Sequence, residues 1–421
     1  MISSNIYDFV IVGGGAAGIS IAECLSRNPE NSILLIEKNN KLAGETSGGF
    51  HEWLHTGALF TLVPDASYTT SYLLGAIDDL FIFYSDFIRN NFIATETGLA
   101  VIGDGWFNNH NINFYYRNRK FNFLWNILVN QSIGKINKIS SHDWLRKRGG
   151  SINFKSWLLD YHQIKPDIVI RDGVSFFHQI STDITMNSRI LLGDLLNNFV
   201  LNNGKISLDT ELFNYKKITN DVYEIVTSGG IIYSRNIVLC AADKNSKFTN
   251  ESIKTSYAPM FVVENLSPKK ESFVELDYKT KNCINLINKL NGYGLAGGIT
   301  VQNESDIHDY LNYCIKEHMS RNPEINVVDS YIGLKKELTS NGQNRNYLYH
   351  INKVHDGVYS IILGKFSLLF SLAPEFYRRI YNKNPPISVS SKTSFANFDV
   401  LDFCQWQKIV SSLNFKDKKW G

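Results

Sequence analysis

The segment from Tyr7 to Glu37 constrains the possible fold more than any other part of the chain. A mainly apolar run leads into three consecutive glycines at 13–15, a helical pattern continues to Arg27, and a second apolar run ends at Glu37. This order predicts a buried strand, a glycine turn, a helix and a second buried strand. Such a unit is typical of a dinucleotide site on a parallel sheet with helices on its faces.

The residues of this unit have separate physical roles. Gly13 allows the tight turn out of the strand, Gly15 lets the backbone approach a pyrophosphate, and Gly18 lets the helix pack on the sheet. The N–H groups at the helix start would face the phosphates. Glu37 is placed to accept two hydrogen bonds from a ribose diol, and an ordinary glycine turn would not need an acid there. The predicted contacts in this unit are Gly13, Gly15, Ala16, Ala17, Gly18, Glu37 and Lys38.

Composition and charge narrow the class of protein. The 421 residues suggest roughly two or three structural units, and 43 basic against 40 acidic residues give a net charge of +3. A nearly balanced charge makes nucleic acid an unlikely partner. The five cysteines are widely spaced without a C-x-x-C pair, so we expect neither a metal site nor a disulfide framework. No apolar run approaches the roughly 18 residues that span a bilayer. The first strand also begins too close to Met1 for a signal peptide, so a cytoplasmic protein without an integral membrane segment is expected.

Other segments are expected to contact the same ligand. The chain from 38 to 59 is rich in glycine and small polar residues, and a helix beginning at Ser47 would direct N–H groups towards a second phosphate. A strand over 236–243 contains Ala241-Ala242 at its end, where a loop can touch a cofactor. Alternating stretches near 260–264 and 272–276 indicate a second, antiparallel sheet. The predicted contacts here are Thr46, Ser47, Gly48, Ala241 and Ala242.

Three short motifs add to this pattern. The turn at 46–49, Thr-Ser-Gly-Gly, leads to His55-Thr56-Gly57, and the segment 363–367 reads Leu-Gly-Lys-Phe-Ser before a helical pattern. The third motif is Gly333-Leu334-Lys335-Lys336. Together with the first unit, these motifs resemble the flavin-dependent D-amino-acid oxidase superfamily, particularly its glycerol-3-phosphate dehydrogenase and 2-hydroxyglutarate dehydrogenase branch. That branch has Gly-Gly-Lys-x-Thr at the second motif and Gly-Leu-Arg-Pro at the third, so this chain lacks one glycine, the threonine, the arginine and the proline.

The resemblance implies FAD, with its adenosine on 13–18 and Glu37 and its isoalloxazine ring near 47–59 and 364–367. Lys365, or backbone N–H groups at the start of the helix that follows, would stabilise negative charge on the reduced ring. His55 is the candidate catalytic base; a covalent link to the flavin and an ordinary buried imidazole are the alternatives left open. The implied ring contacts are His55, Gly57, Gly364, Lys365, Phe366 and Ser367.

The substrate is expected between two domains, above the flavin, in contact with His51, Lys335 and Arg345. A lysine at 335 cannot form the planar two-bond fork that arginine makes with a carboxylate, although Arg345 could supply it. The cations of this group predict an acidic or phosphorylated substrate. We therefore name His55, Lys365 and Arg345 as candidate catalytic residues.

The leading hypothesis is a FAD-dependent oxidase or dehydrogenase. It would transfer a hydride from a CH–OH or CH–NH carbon of a small, polar, anionic substrate to flavin N5. The alternatives are an aromatic-ring monooxygenase, a nicotinamide-dependent dehydrogenase, and a flavin-fold binding protein without turnover. The turn at Gly364 lacks the Gly-Asp pair that is typical of monooxygenases, which argues against the first alternative. Only an extended cofactor needs this second turn, which argues against a nicotinamide-dependent dehydrogenase. The electron acceptor and the oligomeric state stay open.

The expected fold class is α/β, with a Rossmann-like FAD-binding domain and a substrate domain that carries a mainly antiparallel sheet. Cofactor-type turns occur at both ends and in the middle of the chain, so we expect the FAD-binding domain to be discontinuous. Its predicted segments are 1–60, 166–250 and 351–421, and the substrate or cap domain takes 61–165 and 251–350.

Overall fold

The computed structural model contains two large sheets, one small two-stranded sheet and the helices that cover them. The residues that the structure describes are 6–60, 67–88, 92–95, 98–101, 105–119, 124, 167–267, 271–277, 279–280, 282–289, 292–340, 345–389 and 398–417. The strands are β1 Ile6–Val12, β2 Ile33–Ile36, β3 Trp53–Leu54, β4 Phe92–Thr95, β5 Gly98–Val101, β6 Phe107–Arg117, β7 Asp167–Arg171, β8 Val174–Met186, β9 Lys205–Ser207, β10 Leu212–Lys217, β11 Tyr223–Thr227, β12 Gly230–Leu239, β13 Ile253–Glu264, β14 Ser272–Asp277, β15 Asn282–Asn288, β16 Gly294–Gly298, β17 Asn326–Leu338, β18 His350–His355 and β19 Val358–Ile362. The helices are α1 Ala16–Ser26, α2 Ser67–Phe83, α3 Ser85–Ile88, α4 Ser188–Leu201, α5 Ile307–Arg321, α6 Leu369–Tyr381 and α7 Gln405–Asp417.

The first sheet has the order β10-β11-β12-β1-β2-β9, and β19 also pairs with β12 while β18 pairs with β19. The central neighbours β12, β1, β2 and β9 run parallel, as does β19 beside β12. The residues of β1 from Phe9 to Val12 are buried, because Phe9 and Ile11 pack in one cluster with the helices and Val10 and Val12 pack in another with side chains of β10 and β11. Strands buried on both faces have nearly continuous apolar sequences, which explains the run that opens the chain.

Three helices pack together on the first sheet. Helix α1 contacts α4 and α6, and all eleven of its residues are buried. Small side chains and Gly18 let this helix come close to the sheet and to its neighbours. Helix α4 begins at Ser188 as expected, where the Asn187 side chain accepts a hydrogen bond from the N–H of Ile190 at 3.4 Å.

The second sheet has the order β17-β13-β16-β15-β14-β6-β8-β3, with β7 paired to β8. All of its pairs are antiparallel except β14 with β6. Helix α5 packs on β13 and β16 and buries Cys314 and His318. The mixed α/β fold with one mostly parallel sheet and one mainly antiparallel sheet is therefore confirmed.

The strand pairing differs from the expected domain assignment at two places. Strands β7 and β8, over 167–186, and β3 pair in the second sheet, although the sequence placed 1–60 and 166–250 in the cofactor domain. Alternation of apolar residues identifies a strand but not the sheet that it joins. The first sheet does take its strands from 6–36, 205–239 and 350–362. The division into domains stays a prediction, and much of the expected cap over 61–165 lies outside the described residues.

Candidate active site

An elongated cleft of about 1240 Å³ opens where β1, β2, β12 and β19 end. These are carboxyl ends of parallel strands, where ligands of doubly wound sheets bind. Its wall combines the glycine turn, the end of β2, the 43–47 loop and the turn after β19. The predicted contacts that line it are Gly13, Gly15, Ala16, Ala17, Glu37, Lys38, Thr46, Ser47, Ala241, Ala242, Gly364, Lys365 and Phe366.

The glycines of the first turn are required by close backbone contacts. Gly13 has φ +106°, and a Cβ there would lie 2.8 Å from the carbonyl oxygen of Cys240. A Cβ on Gly18 would lie 1.9 Å from the carbonyl oxygen of Gly13, so Gly18 packs α1 against the turn. At Gly15 an added Cβ would lie 3.2 Å from Ser47 Oγ. These contacts agree with the tight turn predicted at Gly13 and the close packing predicted at Gly18. The approach of a pyrophosphate to Gly15 stays a prediction.

Side chains of Glu37 and Ser47 fix the backbone that surrounds the cleft. Glu37 Oε2 accepts a hydrogen bond from the N–H of Gly14 at 2.7 Å, and its Oε1 accepts one from Asn39 at 3.0 Å. Ser47 Oγ accepts from the N–H of Ala16 at 2.9 Å. This hydrogen bond satisfies the first N–H group of α1. Residues 46–48 form only one turn of 3₁₀-helix, so the helix expected to begin at Ser47 does not form.

Three predicted cofactor contacts, Gly48, Gly57 and Ser367, are not part of the cleft wall. A Cβ on Gly48 would meet the carbonyl oxygen of Ala43 at 3.2 Å, so this residue packs inside its loop. Gly57 has φ +111° and lies against Thr70 of α2. Ser367 Oγ accepts from the N–H of His55 at 3.1 Å and donates to the carbonyl oxygen of Trp53 at 3.2 Å. These residues hold loops in place; the sequence could not tell that function from a direct contact.

A second cavity of about 560 Å³ adjoins the cleft. The two share Ser47, Phe50 and the turn 364–366 in their walls. Ser367 lines this second cavity, and all five candidate catalytic and substrate residues line it together: His51, His55, Lys335, Arg345 and Lys365.

The His55 ring is held by its neighbours in the second cavity. It stacks on Trp53 at a centroid distance of 4.2 Å, and its Nδ1 lies 3.5 Å from Asp183 Oδ2. Burial lowers the pKa of His55 to about 4, and the charge of Lys365 lowers it as well, while Asp183 opposes both. Burial and the charge of Lys335 also hold the pKa of His51 well below its ordinary value. Both imidazoles are therefore neutral near pH 7.

Two lysines that line the same cavity have no ion-pair partner among the described residues. Burial lowers the pKa of Lys365 to about 7, and the charge of Arg345 lowers it too. Burial, Arg345 and Lys365 likewise hold the pKa of Lys335 well below its ordinary value. Within the described part of the chain, ion pairs occupy Lys336 and Arg345 but neither Lys335 nor Lys365. An anion in the cavity would supply the missing charge.

Arg345 does not have the role expected for it. Its Nε and Nη2 donate to the two carboxylate oxygens of Glu337, each at 2.7 Å, and its Nη1 donates to Thr300 Oγ1. The guanidinium fork is thus already occupied by a carboxylate of the protein. Arg345 lines the cavity, but the expectation that it offers this fork to a substrate is wrong.

The N–H of Lys365 is also engaged within the protein, because it donates to the carbonyl oxygen of Leu363 at 2.8 Å. The sequence suggests that the N–H groups of residues 364–366 donate hydrogen bonds to a reduced flavin ring. That function is not available to the Lys365 N–H. Lys365 lines both cavities, and its Nζ lies 4.6 Å from the centroid of the Phe60 ring.

Sequence reasoning missed two acids of the site. Asp183 is fully buried on β8, and a lone carboxylate in a strand of apolar and hydroxyl residues is a signal that could have been used. Glu337 lies on β17 directly after two lysines, in a strand that mixes charged and apolar residues. Nothing in that sequence distinguishes it from a solvent-exposed acid.

The comparisons with known proteins agree with this geometry. A family model described as FAD dependent oxidoreductase matches residues 8–334. The chain belongs to this family. Its cofactor is FAD, it is an oxidoreductase, and the resemblance stated from the motifs is confirmed.

Solved structures of oxidases share the fold of this oxidoreductase. Glycine oxidase from Geobacillus kaustophilus matches with a TM-score of 0.62 and 11% identity over 93% of this chain and 100% of that one. L-α-glycerophosphate oxidase from Mycoplasma pneumoniae, with FAD bound, matches with a TM-score of 0.62 and 16% identity over 96% of this chain and 100% of that one. Identities this low establish the fold alone.

A curated relative matches over a short segment. The 5-(hydroxymethyl)furfural oxidase of Methylovorus sp. (strain MP688) is 44% identical over 57 residues, which are 12% of this chain and 11% of that protein. The match thus spans about a tenth of the relative's length, so its activity is not transferred here.

The residues present fit FAD. The wall of the cleft includes both the glycine turn at Gly13 and Gly15 and the Gly364 turn, so one ligand can contact both. Because the N–H groups of Gly13, Gly14 and Ala16 are bonded within the protein, those of Gly15 and Ala17 would hold the pyrophosphate. Glu37 would hold the ribose, and the 364–366 turn would hold the ring. Among the described residues no helix is long and apolar enough to cross a membrane.

Proposed function

We propose that this FAD-dependent oxidoreductase oxidises a small anionic substrate at a CH–OH or CH–NH carbon. The observation that supports it is the second cavity, which joins the cofactor cleft and collects two neutral imidazoles and two amines without carboxylate partners. FAD, when bound, accepts the hydride in this reaction.

His55 would take the proton that leaves the substrate hydroxyl or amine. A general base must be unprotonated at the working pH, and the lowered pKa of His55 meets this condition. Stacking on Trp53 and the hydrogen bond from the His55 N–H to Ser367 fix the position of the residue. When the base and the donor carbon are already held in place, less entropy is lost on reaching the transition state, so the barrier is lower.

Lys335 and Lys365 would hold the anionic group of the substrate. A lysine ammonium acts as a point charge and suits a phosphate, whereas a planar carboxylate is best held by an arginine fork. Glu337 occupies the Arg345 fork. A phosphorylated substrate is therefore favoured over a simple carboxylate.

The test uses the compounds that the relatives are named for. FAD-loaded protein is mixed without oxygen with L-α-glycerophosphate, glycine or 5-(hydroxymethyl)furfural, and bleaching of the flavin absorbance is followed. We expect L-α-glycerophosphate to reduce the flavin fastest and the neutral furfural slowest. Faster reduction by the furfural would refute an anionic substrate.

A charge variant tests the two lysines. Lys335→Gln should raise the KM for L-α-glycerophosphate by about ten- to a hundredfold, since one charged hydrogen bond contributes roughly 1.5–3 kcal/mol. Lys353→Gln is the matched control, because its ammonium pairs with Asp356 on the exposed surface. Equal KM values for the two variants would remove Lys335 from the substrate site.

A further inference from the structure

Asp183 connects the residues on both sides of His55. Its Oδ1 accepts hydrogen bonds from the N–H of Thr56 at 2.8 Å and from the Thr56 hydroxyl, and its Oδ2 accepts one from Trp53 Nε1 at 3.0 Å. Asp183 is fully buried on β8, which pairs with β3 through Leu54 and Ile184. The carboxylate is thus fixed by three donors before His55 is considered.

The orientation of the His55 ring leaves its two nitrogens in different surroundings. Nδ1 is buried, has no hydrogen-bond partner at the present distance, and lies 3.5 Å from Asp183 Oδ2. The side chain is 13% exposed and lines the second cavity, so Nε2 is the nitrogen left to meet a substrate. A contraction of a few tenths of an ångström would place Nδ1 within hydrogen-bonding distance of the carboxylate.

We propose that Asp183 is a positioning residue that keeps the neutral His55 ring in the tautomer with hydrogen on Nδ1 and a free lone pair on Nε2. The inference rests on the proposed function for its catalytic meaning, but the tautomer itself does not depend on turnover. In the reaction the substrate carbon loses a hydride, which the bound FAD accepts, and its hydroxyl or amine proton moves to Nε2. The substrate leaves as a carbonyl or imine, and Asp183 stabilises the imidazolium that remains.

Other charged groups around the ring oppose this imidazolium. Lys365, on the turn after β19, and Lys335, on β17, both lower the pKa of His55. His51 lies on the same loop as His55 and lines the same cavity. Asp183 is the carboxylate that acts in the opposite direction. Its loss should therefore affect proton transfer more than substrate binding, which the two lysines control.

The direct test reads the tautomer by NMR of FAD-loaded protein with isotope-labelled histidine nitrogens near pH 7. The His55 signals are identified by their absence in His55→Gln. We expect hydrogen on Nδ1 in the wild type and a shift towards the Nε2–H form in Asp183→Asn. Hydrogen on Nε2 in the wild type would overturn the proposal even if Asp183→Asn failed to fold.

A matched variant separates charge from support of the loop. Thr56→Val removes a hydroxyl donor to Asp183 but leaves the carboxylate, so the wild-type tautomer should persist. An Nε2–H form in Thr56→Val as well would mean that loop geometry, and not the Asp183 charge, sets the tautomer.

Kinetics complete the test. Asp183→Asn should lower the rate of flavin reduction by L-α-glycerophosphate at least tenfold and change KM less than twofold, since general-base catalysis contributes roughly 10²–10⁴-fold and this variant would lose part of it. An unchanged reduction rate, or a loss confined to KM, would overturn the positioning role. If none of the three compounds bleaches the flavin but the tautomer is as expected, the proposed function fails while the inference about Asp183 stands.

Discussion

Replacing Arg345 by alanine should destabilise the protein strongly. Arg345 and Glu337 form a paired fork in which the side chains are only 16% and 3% exposed. Glu337 also accepts a hydrogen bond from the N–H of Asn346 at 3.1 Å. Removing the guanidinium leaves a nearly buried carboxylate without its counter-charge. Breaking such a pair costs about 3–5 kcal/mol, and the partial exposure of Arg345 places the expected cost near the lower limit.

The double variant Arg345→Met/Glu337→Gln isolates the charge from the packing. The amide introduced at position 337 would retain an oxygen acceptor for the N–H of Asn346, and no unpaired charge would remain. We expect the double variant to recover about 2 kcal/mol relative to Arg345→Ala, because neutral replacement of a buried pair is far less costly than breaking it.

Urea unfolding, followed by tryptophan fluorescence and by release of FAD, measures these differences. The same samples should show weaker binding of L-α-glycerophosphate to Arg345→Ala, because the uncompensated charge of Glu337 would repel an anion. A cost below about 1 kcal/mol for Arg345→Ala would refute the reasoning, since that is the range of exposed pairs. A double variant no more stable than the single one would refute it equally.

Two further predictions concern the cofactor cleft and the anion site. Since Lys365 has a pKa of about 7, its protonated fraction falls nearly tenfold between pH 6 and pH 8. The affinity for L-α-glycerophosphate should fall by a similar factor over that range, and a pH-independent dissociation constant in flavin difference spectra would contradict this. Gly15→Val should abolish FAD retention after desalting, because its side chain would occupy the cleft beside Ser47; Gly75→Ala, at a position where an added Cβ meets no atom within 4 Å, is the control.

The parallel part of the fold was predictable because its signals are local. The turn at Gly13, the helix over Ala16–Ser26 and the acid at Glu37 follow one another within a single unit. The contact of Gly18 with Gly13 and the hydrogen bond from Gly14 to Glu37 both lie inside that unit. The second sheet was harder to assign. Strand β8 carries a pattern that fits either sheet, and its pairing with β6 and β3 depends on residues far away in the chain.

The candidate site shows the same limit. The sequence identified the cations that line the second cavity, because basic residues near flavin-type motifs are visible in the pattern. It could not show that the Glu337 carboxylate pairs with the Arg345 guanidinium, whereas Lys335 and Lys365 have no such partner in the described part of the chain. Charge compensation depends on distances between strands and loops, and a residue type alone does not reveal it.

The loop that carries His51 and His55 explains why the two cavities share a wall. Its first part lies beside α1, where Ser47 accepts a hydrogen bond from Ala16, and its last part enters the second sheet as β3. Between them Gly49 touches β17 so closely that a Cβ on Gly333 would lie 2.2 Å from the Gly49 carbonyl oxygen. This contact accounts for the glycine that precedes Lys335 by two residues, because any larger residue would push β17 away from the loop. The same short connection therefore sets the distance from the cofactor cleft to Lys335, and a change at Gly333 should alter substrate binding without touching the substrate.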